Sequence, residues 1–232
     1  DQCGATAPKN LRLKVLETGA DIGLALDGDA DRLIVVDENG RVIDGDQIMA
    51  LISLNMKNSG RLKGEGLVST VMSNLGLERF LEAEGMRLER TKVGDRFVLE
   101  RMKQLGWNLG GEQSGHMILS DYATTGDGMV AALQVLSVMV RQSRRASEVL
   151  NQFPPVPQVL KNVRFTGANP LDADPVKDVI REVEGEFGNA GRLVIRPSGT
   201  EPLIRVMAEG DDAAFVDQAV NRICEVVRAS AG

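Results

Sequence analysis

The sequence predicts an α/β fold, with a mixed α/β body followed by a smaller α+β domain at the C-terminus. Short apolar runs alternate with stretches of helical periodicity along most of the chain. Turns rich in Gly, Asp and Asn separate them, and a proline cluster at Phe153-Pro154-Pro155-Val156-Pro157 interrupts the pattern. Strands separated by helices of about ten residues or more suit right-handed crossovers on a mainly parallel sheet.

The elements follow in order. Leu11, Val15 and Leu16 give a helix an apolar face before Gly19. Ile22 to Leu26 and Leu33 to Val36 are apolar runs read as strands, the second ended by Asp37-Glu38-Asn39-Gly40. A unit begins near Asp44-Gly45-Asp46, with a helix over Gln47 to Met56. Leu67 to Met72 reads as a strand. Ser73 or Asn74 can cap a helix carrying Leu77, Phe80 and Leu81, stopped by Gly85. Met86 to Arg90 is a strand, and Phe97, Val98, Met102 and Leu105 mark a helix before Gly106. Trp107 to Leu109 is the next strand, and Thr125 or Asp127 caps a long helix through Arg141.

Prolines cannot sit inside a helix or a central strand, so the proline cluster reads as a stiff linker. Beyond it come a strand near Val159 to Phe165 and a helix with Val176, Val179, Ile180, Val183 and Phe187 at helical spacing. Strands Leu193 to Arg196 and Leu203 to Met207 follow, then a helix with Phe215, Ala219, Ile223 and Val227 on one stripe. The division expected is 1–44, 45–153 and 154–232.

Composition narrows the function classes. Of 232 residues, 43% are hydrophobic and 26% charged, a globular profile, and with only 3% aromatic residues the aliphatic side chains must fill the core. A net charge of -6 provides no basic surplus for nucleic acid or an anionic membrane. The most apolar window, Met129 to Val140, is too short to span a bilayer. Cys3 and Cys224 have no C-x-x-C or histidine neighbour, so they read as thiols in a reducing cytoplasm. The chain opens Asp1-Gln2-Cys3-Gly4 with no secretory pattern and no initiator Met, which reads as an internal piece of something longer.

Three polar loops carry chemistry. Asp27-Gly28-Asp29-Ala30-Asp31-Arg32 sets carboxylates at alternate positions between two apolar strands. Like charges this close repel unless a cation joins them, and three Asp with open sites left for a phosphate suit Mg²⁺. The D-x-D-x-D pattern also opens a Ca²⁺ EF-hand, and Glu38 would fall at its last ligand position. Arg32, however, occupies the position that demands Gly, and the flanks read as strands. A solvated acidic turn is the bland alternative; the metal loop is the reading adopted.

Arg196-Pro197-Ser198-Gly199-Thr200-Glu201-Pro202 lies between two strands. Successive backbone N–H groups of Ser198, Gly199 and Thr200 can form an anion nest, aided by two hydroxyls and Arg196, with Arg205 further along the next strand. A chain-reversing Pro-Ser-Gly turn is the alternative. In Gly110-Gly111-Glu112-Gln113-Ser114-Gly115-His116, an extended chain would point Glu112, Ser114 and His116 one way, towards vicinal hydroxyls. His116 is the only histidine in the sequence. A lone histidine is by itself more often a structural hydrogen-bonder, but the surrounding glycines favour close approach of a ligand. Thr91-Lys92-Val93-Gly94-Asp95-Arg96 puts Lys92 and Arg96 where a strand gives way to a helix and a phosphate could be met, or is an ordinary capped turn. Thr124-Thr125-Gly126-Asp127-Gly128 resembles a helix start more than a site.

D-G-D-A-D-R (27–32), T-K-V-G-D-R (91–96), G-E-Q-S-G-H (111–116) and R-P-S-G-T-E-P (196–202), in this order, resemble the α-D-phosphohexomutase superfamily. D-G-D-Q-I-M (44–49), V-M-S-N-L-G-L (71–77) and T-T-G-D-G (124–128) resemble its bacterial phosphoglucosamine mutase branch. The resemblance spans nearly the whole chain. It implies a phosphohexomutase-type α/β domain with a smaller α+β C-terminal domain. The implied activity interconverts glucosamine 6-phosphate and glucosamine 1-phosphate through a phosphoserine enzyme and a sugar 1,6-bisphosphate, a step toward cell-wall UDP-sugars. In that reading 1–44 ends domain two, 45–153 is domain three and 154–232 is domain four. Asp27, Asp29 and Asp31 would hold Mg²⁺, and Arg32 would steady the phosphoserine phosphate. Glu112 and Ser114 would hold sugar hydroxyls, with His116 transferring a proton. Arg196, Ser198, Gly199, Thr200 and Arg205 would grip the non-reacting phosphate, with Lys92 and Arg96 contributing. The family's serine loop, S-x-S-H-N-P or a close variant, is absent, so the isolated chain is expected to be inactive without the N-terminal domains that would partner it. A phosphomannomutase or phosphoglucomutase of the same superfamily, a non-catalytic phosphosugar-binding module and a Ca²⁺-binding interaction protein are the alternative readings. A homodimer stays open.

Overall fold

The computed structural model describes residues 4–198 and 201–231, so Gly199 and Thr200 lie outside the described residues. The chain divides into two compact units, Asp1–Pro154 and Pro155–Gly232.

In the first unit, helix α1 (Lys9–Thr18) ends at Gly19, whose left-handed backbone returns the chain to β1 (Ile22–Leu26). Strand β1 pairs antiparallel with β2 (Leu33–Asp37), and β2 with the two-residue β3 (Val42–Ile43). The Asp27–Arg32 loop is therefore the connection of the β1–β2 hairpin. Asp44 caps α2 (Gly45–Asn58) by accepting the Gln47 N–H. A second sheet has the order β5-β4-β6-β7, built from β4 (Gly66–Thr70), β5 (Arg87–Thr91), β6 (Leu109–Gly111) and β7 (Met117–Leu119). Pairs β4–β5 and β4–β6 are parallel and β6–β7 is antiparallel, a mixed α/β arrangement. Crossovers α3 (Leu75–Ala83), capped by Asn74, and α4 (Asp95–Leu105) join the parallel strands. Helix α5 (Gly128–Gln142), capped by Asp127, and the one-turn α6 (Ala146–Val149) complete the unit.

The strand expected at Trp107 to Leu109 begins two residues later than the apolar run suggests. The Trp107 N–H still bonds the Met102 carbonyl of the preceding helix, and the Asn108 side chain is tied to the Arg61 carbonyl and Asp121. The core runs from Leu33 and Val35 through Ile48, Met49 and Ile52 to Leu67, Leu77, Leu109, Met117 and Val135, with Phe153 closing one end. Val68, Val98, Met102, Trp107 and Ile118 form a smaller cluster under α4.

The second unit is an antiparallel sheet of order β8-β10-β9, from β8 (Gln158–Arg164), β9 (Gly191–Pro197) and β10 (Leu203–Gly210). Helices α7 (Asp174–Phe187) and α8 (Ala213–Ser230) supply Val176, Val183, Val220, Ile223 and Cys224 to a core shared with Ile204 and Val206. Two helices on a three-stranded antiparallel sheet make the small α+β unit. Among the described residues, no helix is long and apolar enough to cross a membrane.

Candidate active site

The hairpin loop between β1 and β2 draws its carboxylates together. One ligand oxygen from each of Asp27, Asp29 and Asp31 lies within 4.8 Å of the other two. Ala30, at φ 60°, takes the left-handed turn that bends the loop, and its carbonyl accepts the Gly128 N–H at 2.9 Å. Arg32 donates its backbone N–H to Asp27 Oδ1 at 3.1 Å, while its Nε stands 3.5 Å from Asp27 Oδ2 and 3.9 Å from Asp31 Oδ1. Burial works against the charge of Asp27, but that N–H, the neighbouring Asp31 and the Arg32 charge outweigh it and lower its pKa. Asp31 shifts the other way, raised by burial and by the adjacent Asp27. Asp31 Oδ1 is buried with no hydrogen-bond partner among the described residues. A buried acceptor left open beside two further carboxylates is a donor set that a hard divalent cation would complete, so these residues fit Mg²⁺.

His116 lies against the same loop. Its Nδ1 is 2.9 Å from Asp31 Oδ2, and the residue is only 3% exposed. With Asp31 ionised the Nδ1 carries the proton and fixes the orientation of the carboxylate. Backbone pairing locks the contact: Arg32 and His116 form an isolated β-bridge, and the Leu33 N–H bonds the Gly115 carbonyl at 2.9 Å. The expectation that Glu112, Ser114 and His116 share one outward face therefore needs correction. Residues 112–116 form a tight turn, with the Glu112 N–H on the His116 carbonyl and the Gly115 N–H on the Glu112 carbonyl. Ser114 is exposed at the tip, Glu112 is half-buried and His116 turns inward to Asp31.

Glu112 Oε1 accepts the Gly94 N–H at 3.0 Å, which joins this turn to the Thr91–Arg96 loop. Lys92, on that loop, and Arg96, in the first turn of α4, are both exposed. The Arg96 guanidinium is engaged along its own helix with Glu100 at 2.9 Å, so the loops meet through the Gly94 backbone and not through Arg96.

The residues expected to grip a phosphate, Arg196, Ser198 and Arg205, lie in the second unit. Arg196 and Arg205 are direct cross-strand partners in the β9–β10 ladder. Like charges set opposite one another destabilise a sheet unless an anion intervenes. Burial, with Arg205 adding to it, lowers the Arg196 pKa, and Arg205 Nε is buried without a hydrogen-bond partner among the described residues. The nest is corrected at one position: the Ser198 N–H bonds the Leu203 carbonyl at 2.8 Å, closing the hairpin, so this N–H does not face an anion.

Two family models match the chain. The phosphoglucomutase/phosphomannomutase alpha/beta/alpha domain III covers residues 44–156, and the phosphoglucomutase/phosphomannomutase C-terminal domain covers residues 160–226. The chain belongs to the phosphoglucomutase/phosphomannomutase family. Among curated members it is 67% identical over 230 residues to the phosphoglucosamine mutase of Sphingopyxis alaskensis, covering 99% of this chain and 52% of that protein. It is 64% identical to the phosphoglucosamine mutase of Novosphingobium aromaticivorans, covering 98% of this chain and 51% of that one. The chain thus spans about half the length of the curated relatives it matches. The same fold occurs in Aspergillus fumigatus N-acetylphosphoglucosamine mutase in complex with GlcNAc-6P and magnesium. That match has a TM-score of 0.77 at 21% identity and covers 100% of this chain and 54% of that one. A phosphoglucomutase/phosphomannomutase family protein from Burkholderia thailandensis also has a TM-score of 0.77, at 23% identity, covering 98% and 51%.

Two glycines that support this carboxylate–histidine cluster carry no clear functional signal in the sequence. Gly126 and Gly128 belong to a segment whose sequence resembles a helix start. A Cβ at Gly126 would fall 2.3 Å from His116 Nε2, and one at Gly128 would fall 2.8 Å from the Arg32 carbonyl. Both glycines let the start of α5 lie directly against the Asp27–Arg32 loop and His116. The available signal was two glycines flanking a capping Asp, where one suffices to begin a helix.

Proposed function

We propose that this chain is the C-terminal part of a phosphoglucosamine mutase that interconverts glucosamine 6-phosphate and glucosamine 1-phosphate through a phosphoserine enzyme and a sugar 1,6-bisphosphate. The observation that carries this reading is the Asp27–Asp29–Asp31 cluster braced by His116, the residue that also closes the Glu112–Ser114 turn. Residues 1–44 would end a second domain, 45–153 would be the third and 154–232 the fourth, with the serine loop in the other half of the protein.

Asp27, Asp29 and Asp31 would hold one Mg²⁺, which when bound neutralises charge on the transferring phosphoryl group. His116 keeps Asp31 aimed at that position, and its buried Nε2 is the atom through which it would exchange a proton. Arg32, whose guanidinium borders the carboxylates, would turn to the phosphoserine phosphate. Glu112 and Ser114 would accept from and donate to the sugar hydroxyls, orienting the attacking oxygen. Arg196, Arg205 and the Ser198 hydroxyl, with Gly199 and Thr200, would hold the phosphate that is not reacting, and Lys92 and Arg96 would assist from the domain-three side. The sugar must turn end for end between two transfers, so the distal grip has to recognise phosphate whichever carbon bears it. A pair of opposed arginines meets that need.

The full-length protein containing this chain, assayed with Mg²⁺ and a sugar bisphosphate activator, should convert glucosamine 6-phosphate faster than glucose or mannose 6-phosphate, and the isolated chain should convert none. Turnover by the isolated chain would refute the assignment of the serine to the other half. A preference for glucose or mannose phosphate would move the protein to the other branch of the family.

A further inference from the structure

Asp46 is a carboxyl that the proposed chemistry does not use, yet it is 1% exposed in the first turn of α2. Its Oδ2 accepts the Asn74 backbone N–H at 2.8 Å and the Gln113 Nε2 at 3.1 Å. The Ser73 hydroxyl also bonds the carboxyl, with Arg90 nearby and the Asp44 charge opposing. Its Oδ1 is buried without a hydrogen-bond partner among the described residues. The preceding residue holds the same point of the turn: the Gly45 N–H bonds the Gln113 carbonyl at 2.9 Å. A Cβ at Gly45 would lie 2.2 Å from the Glu112 carbonyl oxygen and 2.9 Å from the Gly115 nitrogen. Gln113 is thus gripped by both backbone and side chain, and it stands between Glu112 and Ser114.

We propose that Asp46 is a positioning residue that fixes the height and rotation of the Glu112–His116 turn by holding the Gln113 amide against α2. A buried acidic group is costly where only packing is needed, since an apolar side chain would fill the same space. Here it joins two donors from different elements, the α3 cap and the sugar-contacting turn. Burial, with Asp44 adding to it, raises its pKa to about 7, so the grip works with a partly protonated carboxyl and an amide isostere should replace it.

The inference rests on the mutase reading for its kinetic arm and is independent of it in its exchange arm. In the full-length protein, Asp46→Ala and Gln113→Ala should each raise KM for glucosamine 6-phosphate by about tenfold, with a smaller effect on kcat, the size expected for one lost hydrogen bond to an ionisable group. Asp46→Asn should stay within about threefold of the parent, because it keeps the acceptor. The double Ala variant should be no worse than the worse single one, since both remove one contact. Amide hydrogen exchange of residues 112–116 should be about tenfold faster in Gln113→Ala, whose side chain is only half-buried and whose loss leaves the core intact. Unchanged KM together with unchanged exchange of the turn, or strictly additive singles, overturns the proposal. If the parent protein turns over no phosphosugar, the functional reading fails, and the exchange result alone decides this one.

Discussion

The buried Asp46 also makes the stability of the first unit depend on pH in a calculable way. Burial, with Asp44 adding to it, raises its pKa from 3.8 to about 7 in the folded protein. A raised carboxyl pKa means that the native state binds the extra proton between those values. Stability is therefore fully present below the unfolded pKa, falls as pH rises towards 7, and levels off above it. Each pH unit in that window changes the difference by about 1.4 kcal/mol, so between pH 5 and 8 the Asp46 contribution falls by about 2.5 kcal/mol. Asp46→Asn removes that titration while keeping an acceptor for the Asn74 and Gln113 donors. Asp44 is itself raised by burial and remains in both proteins, so the comparison isolates Asp46 apart from the relief of their mutual repulsion. Trp107 is the only tryptophan and lies in the first unit, so its fluorescence reports unfolding of that unit alone. Urea titrations at several pH values should give a stability gap between Asn variant and parent that widens from pH 5 to 7 and is constant above about pH 8. A gap independent of pH across that range would refute the argument that the carboxyl is protonated in the fold.

Magnesium should raise the Trp107 melting temperature of the parent and not that of Asp29→Ala, whose side chain is exposed and whose loss leaves the fold unstrained; at a hundredfold excess over the dissociation constant the gain is about 2.7 kcal/mol by thermal denaturation. Arg205→Ala should weaken inorganic phosphate binding at least about tenfold by calorimetry, while the second unit keeps or gains stability because the Arg196–Arg205 opposition is relieved. Gly126→Ala places a methyl against the His116 ring and should cost about 1–3 kcal/mol by urea denaturation, with loss of the magnesium response as His116 shifts off Asp31.

Much of the fold was legible because apolar periodicity and turn residues agree. Ile22–Leu26 matches the expected strand end for end, and Asn74 and Asp127 cap the helices expected after them. The strand of Met117–Leu119 was not legible, since three residues carry no period and it exists only through pairing with Leu109–Gly111. The carboxylate cluster was readable because alternating Asp residues in so short a hairpin loop have nowhere else to go. The inward turn of His116 was not, because it depends on the bridge between Arg32 and His116, residues distant in sequence. The same holds for Asp46 and Gln113, whose contact joins the start of α2 to a turn beyond three intervening strands.

Ala30 in the aspartate loop has a further implication. An alanine held at φ 60° occupies backbone space that glycine would visit freely, yet the hydrogen bond from Gly128 keeps it there. Alanine bears a steric cost at this backbone angle, so the curvature is held by the Gly128 hydrogen bond and the rest of the fold, not by the residue's own preference. Capture of a cation by such a preshaped socket should then be fast and accompanied by little change in backbone amide chemical shifts beyond the loop itself.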